Sequence, residues 1–175
     1  MLAKKTVWQA LGFTCVWGLV GTLSGSLNPS VAQDPAAVVP TLALTVSTDL
    51  ATNTHRVDGV ANGQTGGTFS LTSLSQYDDQ GNLCSGYSYD RLPNHILELS
   101  QPVQELSIQV KSNGHDTTLV VRGEQSLDCG DDLSEVNQDA ALQRQNWEKG
   151  VYEIWVGSSE PGSNYSYELE VAGTF

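Results

Sequence analysis

The chain has 175 residues, with 8 Lys and Arg against 20 Asp and Glu, a formal net charge of −12. So acidic a surface excludes nucleic acid as a natural partner, because phosphate recognition needs clustered basic groups that release counterions. Three cysteines and three scattered histidines make a thiolate or histidine zinc centre a poor expectation.

At the N-terminus, Lys4 and Lys5 precede an uncharged run from Thr6 to Gln33 that is apolar between Val7 and Leu23. This is the order of a basic n-region and an h-region, and Ser30 and Ala32 around Val31 fit the small-x-small rule, so residues 1–32 read as a signal peptide cleaved after Ala32. Gly12, Gly18, Gly21 and Gly25 interrupt the run and make it a poor permanent anchor. No later stretch is apolar enough to span a bilayer, so no stable membrane insertion is expected after cleavage. The predicted destination is the periplasm or the extracellular medium. Cys15 leaves with the peptide, and its flanking residues do not fit a lipoprotein signal.

About 143 residues remain, with six basic against twenty acidic residues, a net of −14. That length supports one domain with a real core and not two. Residues 33–40, with two prolines, read as an extended linker, and 41–175 as the domain. The two remaining cysteines of an exported chain are expected to pair, joining Cys84 to Cys129.

Beyond residue 41 the pattern is short alternation of apolar and polar residues. Leu106, Ile108 and Val110 form one face of a strand, followed by the run from Thr117 to Arg122. Tyr152, Ile154 and Val156 form the next clear face, and Tyr167, Leu169 and Val171 the last. Weaker strand signals lie at 42–47, 55–60, 67–74, 83–89 and 95–99. Turn residues separate them at Asn62-Gly63, Gly66-Gly67, Asp79-Gln80-Gly81-Asn82, Ser112-Asn113-Gly114 and Gly162-Ser163-Asn164. Eight or nine short strands predict an all-β, two-layer antiparallel β-sandwich. Residues 134–146 are the exception, where Ala140, Ala141 and Leu142 suggest one or two helical turns with a thin apolar stripe.

The second half of the chain carries a resemblance. Pro93-Asn94-His95, Asp116-Thr117-Thr118-Leu119, Cys129 with Asp131-Asp132, Trp147 before Gly150, the run Tyr152–Gly157 and the final Tyr167-Glu168-Leu169 resemble bacterial pre-peptidase C-terminal domains. They are closer still to secreted, cyanobacterial-type proteins of unknown function, in which a Gly-Gly turn and a Cys-x-Gly element come earlier, as Gly66-Gly67 and Cys84-Ser85-Gly86 do here. The resemblance spans about residues 63–172. It implies a jelly-roll-like sandwich that works as an accessory and not as the catalyst. The chain departs from the pre-peptidase pattern in that no protease domain precedes the sandwich, which puts a role in processing an attached enzyme in doubt.

Four features are candidates for function. Asp116, Asp128, Asp131 and Asp132 make an acidic cluster from which carboxylates, completed by backbone carbonyls, would supply part of the about six to eight oxygens that Ca²⁺ takes. The bland alternative is a set of solvated strand edges and Asx-turns. Tyr87, Tyr89, Trp147 and Trp155 would bind a glycan or a protein if exposed, and would be core if a second layer covers them. Asp78-Asp79-Gln80-Gly81-Asn82 looks oxygen-rich but is better explained as a hairpin turn. Finally, His115-Asp116 beside Ser112 resembles a catalytic dyad only in sequence, and no Gly-x-Ser-x-Gly elbow is present after residue 32. The expectation is a non-enzymatic module at the cell envelope, with Ca²⁺ as a possible cofactor and a protein or glycan as partner. The alternative is a small secreted hydrolase, or an accessory subunit of an exported enzyme, using His95 or His115.

Overall fold

The computed structural model describes residues 40–49 and 54–175. The expected signal peptide and all of the linker but Pro40 lie outside the described residues. The strands are β1 (Leu44–Asp49), β2 (Thr54–Gln64), β3 (Phe69–Ser70), β4 (Tyr87–Ser88), β5 (His95–Leu99), β6 (Val103–Lys111), β7 (Thr117–Arg122), β8 (Leu127–Ser134), β9 (Asn137–Trp147), β10 (Gly150–Ser158) and β11 (Ser166–Thr174). One 3-10 turn, Leu71–Ser73, is the only helical element among the described residues. No helix among them is long and apolar enough to cross a membrane.

The all-β fold predicted from alternation is what forms, with eleven strands among the described residues in place of eight or nine. They join in one hydrogen-bonded path, β1-β2-β11-β6-β9-β8-β7-β10-β4-β3, with β5 also on β10. The named strand pairs are all antiparallel. The path folds into two layers because β8 changes partner midway. Its first half, Leu127–Gly130, pairs with β7, and from Asp131 onward it pairs with β9. Gly130 stands at the change, where a Cβ would collide with the Ala141 carbonyl of β9. Only glycine lets the two backbones approach so closely there.

One core lies between the layers. Leu106, Ile108 and Val110 of β6, Leu142 of β9, and Leu169 and Val171 of β11 meet Leu97 and Leu99 of β5, Leu119 and Val121 of β7, and Ile154 and Val156 of β10. Every second residue along these strands points inward, the geometry that alternation encodes. Pro40–Leu42 closes one edge: Leu42 N–H donates to the Ile96 carbonyl at 2.7 Å and Ile96 N–H to the Pro40 carbonyl at 3.0 Å.

The helical expectation for 134–146 is corrected. Those residues are the end of β8, a turn, and most of β9. Ala140 and Leu142 are buried while Gln143 and Gln145 are exposed, so the segment follows a period of two once the other layer is present to receive it. Ser134 Oγ accepts from the N–H groups of Val136 and Asn137 and fixes the tight β8–β9 turn. The weak signals at 67–74 and 83–89 shrink to the short β3 and β4, and Asn62-Gly63, expected as a turn, lies within β2 paired with Glu168 and Tyr167 of β11.

A second, smaller cluster occupies the outer face of the β7–β10 layer. Val120, Cys129 and Trp155, which alternate with inward-facing neighbours, are covered there by Leu71 and Cys84. The cover is residues 71–86, a loop whose ends meet in the β3–β4 pair. The predicted Cys84–Cys129 disulfide forms, with Cα atoms 5.2 Å apart, and fastens the loop to β8.

Candidate functional site: the acidic edge where the sheet divides

Where β8 leaves β7, its outer edge loses a strand partner and carries Asp131 and Asp132 into solvent. Asp116 arrives from the turn before β7, and one carboxylate oxygen from each of the three residues lies within 4.8 Å of the others. Partial loss of water around the Asp131 carboxyl at the strand edge pushes it up, and the charges of Asp132 and Asp116 push it further the same way. Gln138 extends its amide to Asp116 at 3.5 Å. Three carboxylates so close repel one another, and a cation of hard character would relieve that repulsion.

The fourth acidic residue expected in this group is elsewhere. Asp128 faces inward from β8, fully buried, in an ion pair with Arg144 of β9, and Gln80 donates to it at 3.1 Å. Strand parity separates it from Asp131, three residues on, so it is corrected from candidate ligand to interior ion-pair partner.

Two of the four aromatic candidates are also corrected. Trp147 and Trp155 are fully buried and cannot form a binding platform. Trp155 does leave the main core, as alternation predicts, but the 71–86 loop covers it, and its indole N–H donates to the Arg91 carbonyl at 3.3 Å. Tyr87 is half-buried in β4, and Tyr89 is 68% exposed. Of the four, Tyr89 is the one that presents a ring to solvent.

The residues considered for catalysis do not assemble. The Ser112 hydroxyl lies against the Asp139 carboxylate and the His115 carbonyl, whereas the His115 ring stacks on Tyr165 at 4.1 Å. His95 is buried and shares a 2.8 Å hydrogen bond with Tyr167. Asp139, which sequence reading passed over, is buried and accepts from the backbone N–H groups of Ser112 and Gly114, holding the β6–β7 turn. A buried carboxylate facing a Ser-Asn-Gly turn is invisible until the two strands are paired.

Asp78 is the other carboxylate with a structural task. Its oxygens accept from Asn82, Gln80 and Cys129, and the 78–82 segment is the turn that its composition predicts. Partial burial opposes its ionisation, but those hydrogen bonds outweigh burial and hold the carboxyl below the usual range. A cleft of about 630 Å³ lies apart from the acidic edge, between Glu124, Arg144, Asn146, Lys149 and Tyr152. Its partly buried cation, Arg144, is already neutralised by Asp128.

No family model matches the chain, and no characterised protein or solved structure matches it either.

Proposed function

We propose that this chain is an exported, non-catalytic β-sandwich module that contacts a protein or glycan at the cell envelope, with a weak calcium site at Asp116, Asp131 and Asp132. The observation that carries the calcium part is the meeting of three carboxylate oxygens within 4.8 Å at the edge where β8 parts from β7. These side chains furnish between three and six of the about six to eight oxygens that Ca²⁺ takes, with water and backbone carbonyls to complete the shell. Export is supported by the leader pattern in the sequence and by the Cys84–Cys129 disulfide, a bond that persists in oxidising compartments. The accessory role is supported by the resemblance to pre-peptidase C-terminal domains and by the commitment of His95, Asp128 and Asp139 to partners that hold the frame.

The test is the melting temperature during a calcium titration. Extracellular modules bind Ca²⁺ at ~10⁻⁴–10⁻³ M, so several millimolar should stabilise by roughly 1–2 kcal/mol. Magnesium at equal ionic strength and the Asp131→Asn, Asp132→Asn variant are the controls. Equal shifts in both proteins with both ions would mean screening and no site.

A further inference from the structure

We propose that the Cys84–Cys129 disulfide is a redox latch: its reduction lets the 71–86 loop lift from the β7–β10 layer and uncover the Trp155 face while the sandwich stays folded. The loop is built to move as a unit. Its ends are clamped by the β3–β4 pair, Phe69 with Ser88 and Ser70 with Tyr87. Its other backbone bonds are largely internal: Leu71 N–H to Gly86, Leu74 to Leu71, Asp78 to Asn82, and Cys84 to Gln76. A compact surface loop with adjacent ends and its own internal packing is an Ω-loop, a common low-stability unit.

What the loop covers is separate from the main core. Leu71, Cys84, Val120, Cys129 and Trp155 form their own buried cluster, on the opposite face of the layer from Leu119, Val121, Ile154 and Val156. Lifting the loop therefore leaves the packing between the two layers in place. Besides the disulfide, the loop is tied to β8 by Asp79 N–H to the Leu127 carbonyl, by the Asp79 and Asp78 carboxylates on the N–H groups of Leu127 and Cys129, and by the Gln80 side-chain amide on the buried Asp128 carboxylate. These bonds cap a strand edge whose N–H and C=O groups water can reach once the loop lifts.

One contact favours opening. Gly86, at φ +101°, presses on β7 so closely that a Cβ would collide with the Thr118 hydroxyl. That hydroxyl is buried without a hydrogen-bond partner. Closure seals a polar group away from water, and lifting the loop restores its hydration.

The step is a thiol–disulfide exchange with a dithiol reductant. Its thiolate attacks Cys129 Sγ, the more open of the two residues at 8% exposure against 1% for Cys84, and expels the Cys84 thiolate. The second thiol of the reductant then displaces Cys129. Two electrons and two protons pass to the cysteines, which become free thiols, and the reductant leaves as its own cyclic disulfide.

Dithiothreitol is the probe, and hydrogen exchange read by mass spectrometry is the measurement. Reduction should raise exchange in peptides from 71–86 by at least about tenfold, as expected when a local unit opens. Peptides from β6 and β11 should remain protected. Tryptophan emission should shift to longer wavelength on reduction, and the shift should be absent in Trp155→Phe. Loss of protection across the whole chain in one step would overturn the latch in favour of a global staple. Unchanged exchange in 71–86 after both thiols have become alkylatable would overturn it as well. A Cys84→Ser, Cys129→Ser variant should show the open pattern without reductant.

Discussion

Arg144 of β9 forms an ion pair with Asp128 of β8 across the interior and stacks on the Trp147 ring, 4.0 Å from guanidinium carbon to ring centroid. The pair joins the strand that changes layers to the strand it joins. The Asp128 side chain is 1% exposed and that of Arg144 is 19% exposed, so the two ends are unequal in what they lose when the partner is removed.

Arg144→Gln leaves a buried carboxylate unpaired and should cost about 3 kcal/mol, the lower end for breaking a buried pair, since water reaches part of the guanidinium site. Asp128→Asn keeps an acceptor for Gln80 and frees a cation that can turn to solvent, so its cost should be nearer about 1 kcal/mol. Burial raises the Asp128 carboxyl, Arg144 and Gln80 lower it, and Asp78 and Asp79 raise it again, with a net rise. A carboxyl with a raised folded pKa binds protons more readily folded than unfolded, so protonation at lower pH stabilises the fold. Removing Arg144, which lowers that carboxyl, raises it further in the variant, so the variant gains more from protonation and the deficit of Arg144→Gln should shrink between pH 7 and pH 4. Urea denaturation at both pH values measures this, and a larger loss for Asp128→Asn than for Arg144→Gln would refute the assignment.

The fate of the aromatics gives a second test. Trp155→Ala should cost about 3–5 kcal/mol, as expected for a fully buried indole, whereas Tyr89→Ala, at a 68% exposed position, should stay within about 0.5 kcal/mol. If Trp155→Ala leaves the melting temperature unchanged, the indole is not under the loop.

How far the sequence reaches can be seen at particular residues. Leu106, Ile108 and Val110 declare β6, and Tyr152, Ile154 and Val156 declare β10, because one face of each is buried and the other is polar or covered by a loop. The disulfide also follows from the cysteine count and the export expected from the leader pattern. β8 escapes notice because its two halves serve different layers: Leu127, Asp128, Cys129 and Gly130 pair with β7, whereas Asp131 and Asp132 pair with β9. No single face runs its length, so no period marks it. For the same reason Asp128 and Asp131, near neighbours in sequence, part in space, and the acidic cluster loses one member. Trp155 obeys alternation, but that rule states only which face it takes. What lies over the face is decided by a loop fastened at residue 84, which no local pattern announces.

His95 and Tyr167 give a pH test. Burial lowers the His95 pKa and raises that of Tyr167, so both are neutral in the folded state at pH 7. The unfolded imidazole titrates near about 6.5. Because the folded pKa is lower, the unfolded state takes up protons first as the pH falls, and stability declines from there until the folded pKa is reached. The melting temperature should therefore fall between pH 7.5 and pH 5, and His95→Gln should flatten that part of the curve. Tyr167→Phe leaves the Nε2 of His95 without its partner and should cost about 1–3 kcal/mol at pH 7.5. An equally steep decline in His95→Gln would assign the pH dependence to other groups.

The acidic edge makes a prediction that needs no added metal. Partial loss of water and the neighbouring charges of Asp132 and Asp116 raise the Asp131 carboxyl, so its ionised form works against folding at neutral pH. In chelator, Asp131→Asn should then be more stable than the parent chain at pH 7, by a few tenths of a kcal/mol and at most about 1 kcal/mol given the exposure of the edge. The sign follows from linkage: a raised folded pKa means the parent chain gains stability as the carboxyl is protonated, so the advantage of the variant should fade toward pH 4. With several millimolar calcium at pH 7 the order should reverse, because the ion stabilises the three-carboxylate edge and finds a weaker site in the variant. If Asp131→Asn is less stable than the parent in chelator, the carboxylate is holding the β8 edge as a hydrogen-bond acceptor, and the cluster is architecture with no cation to attract.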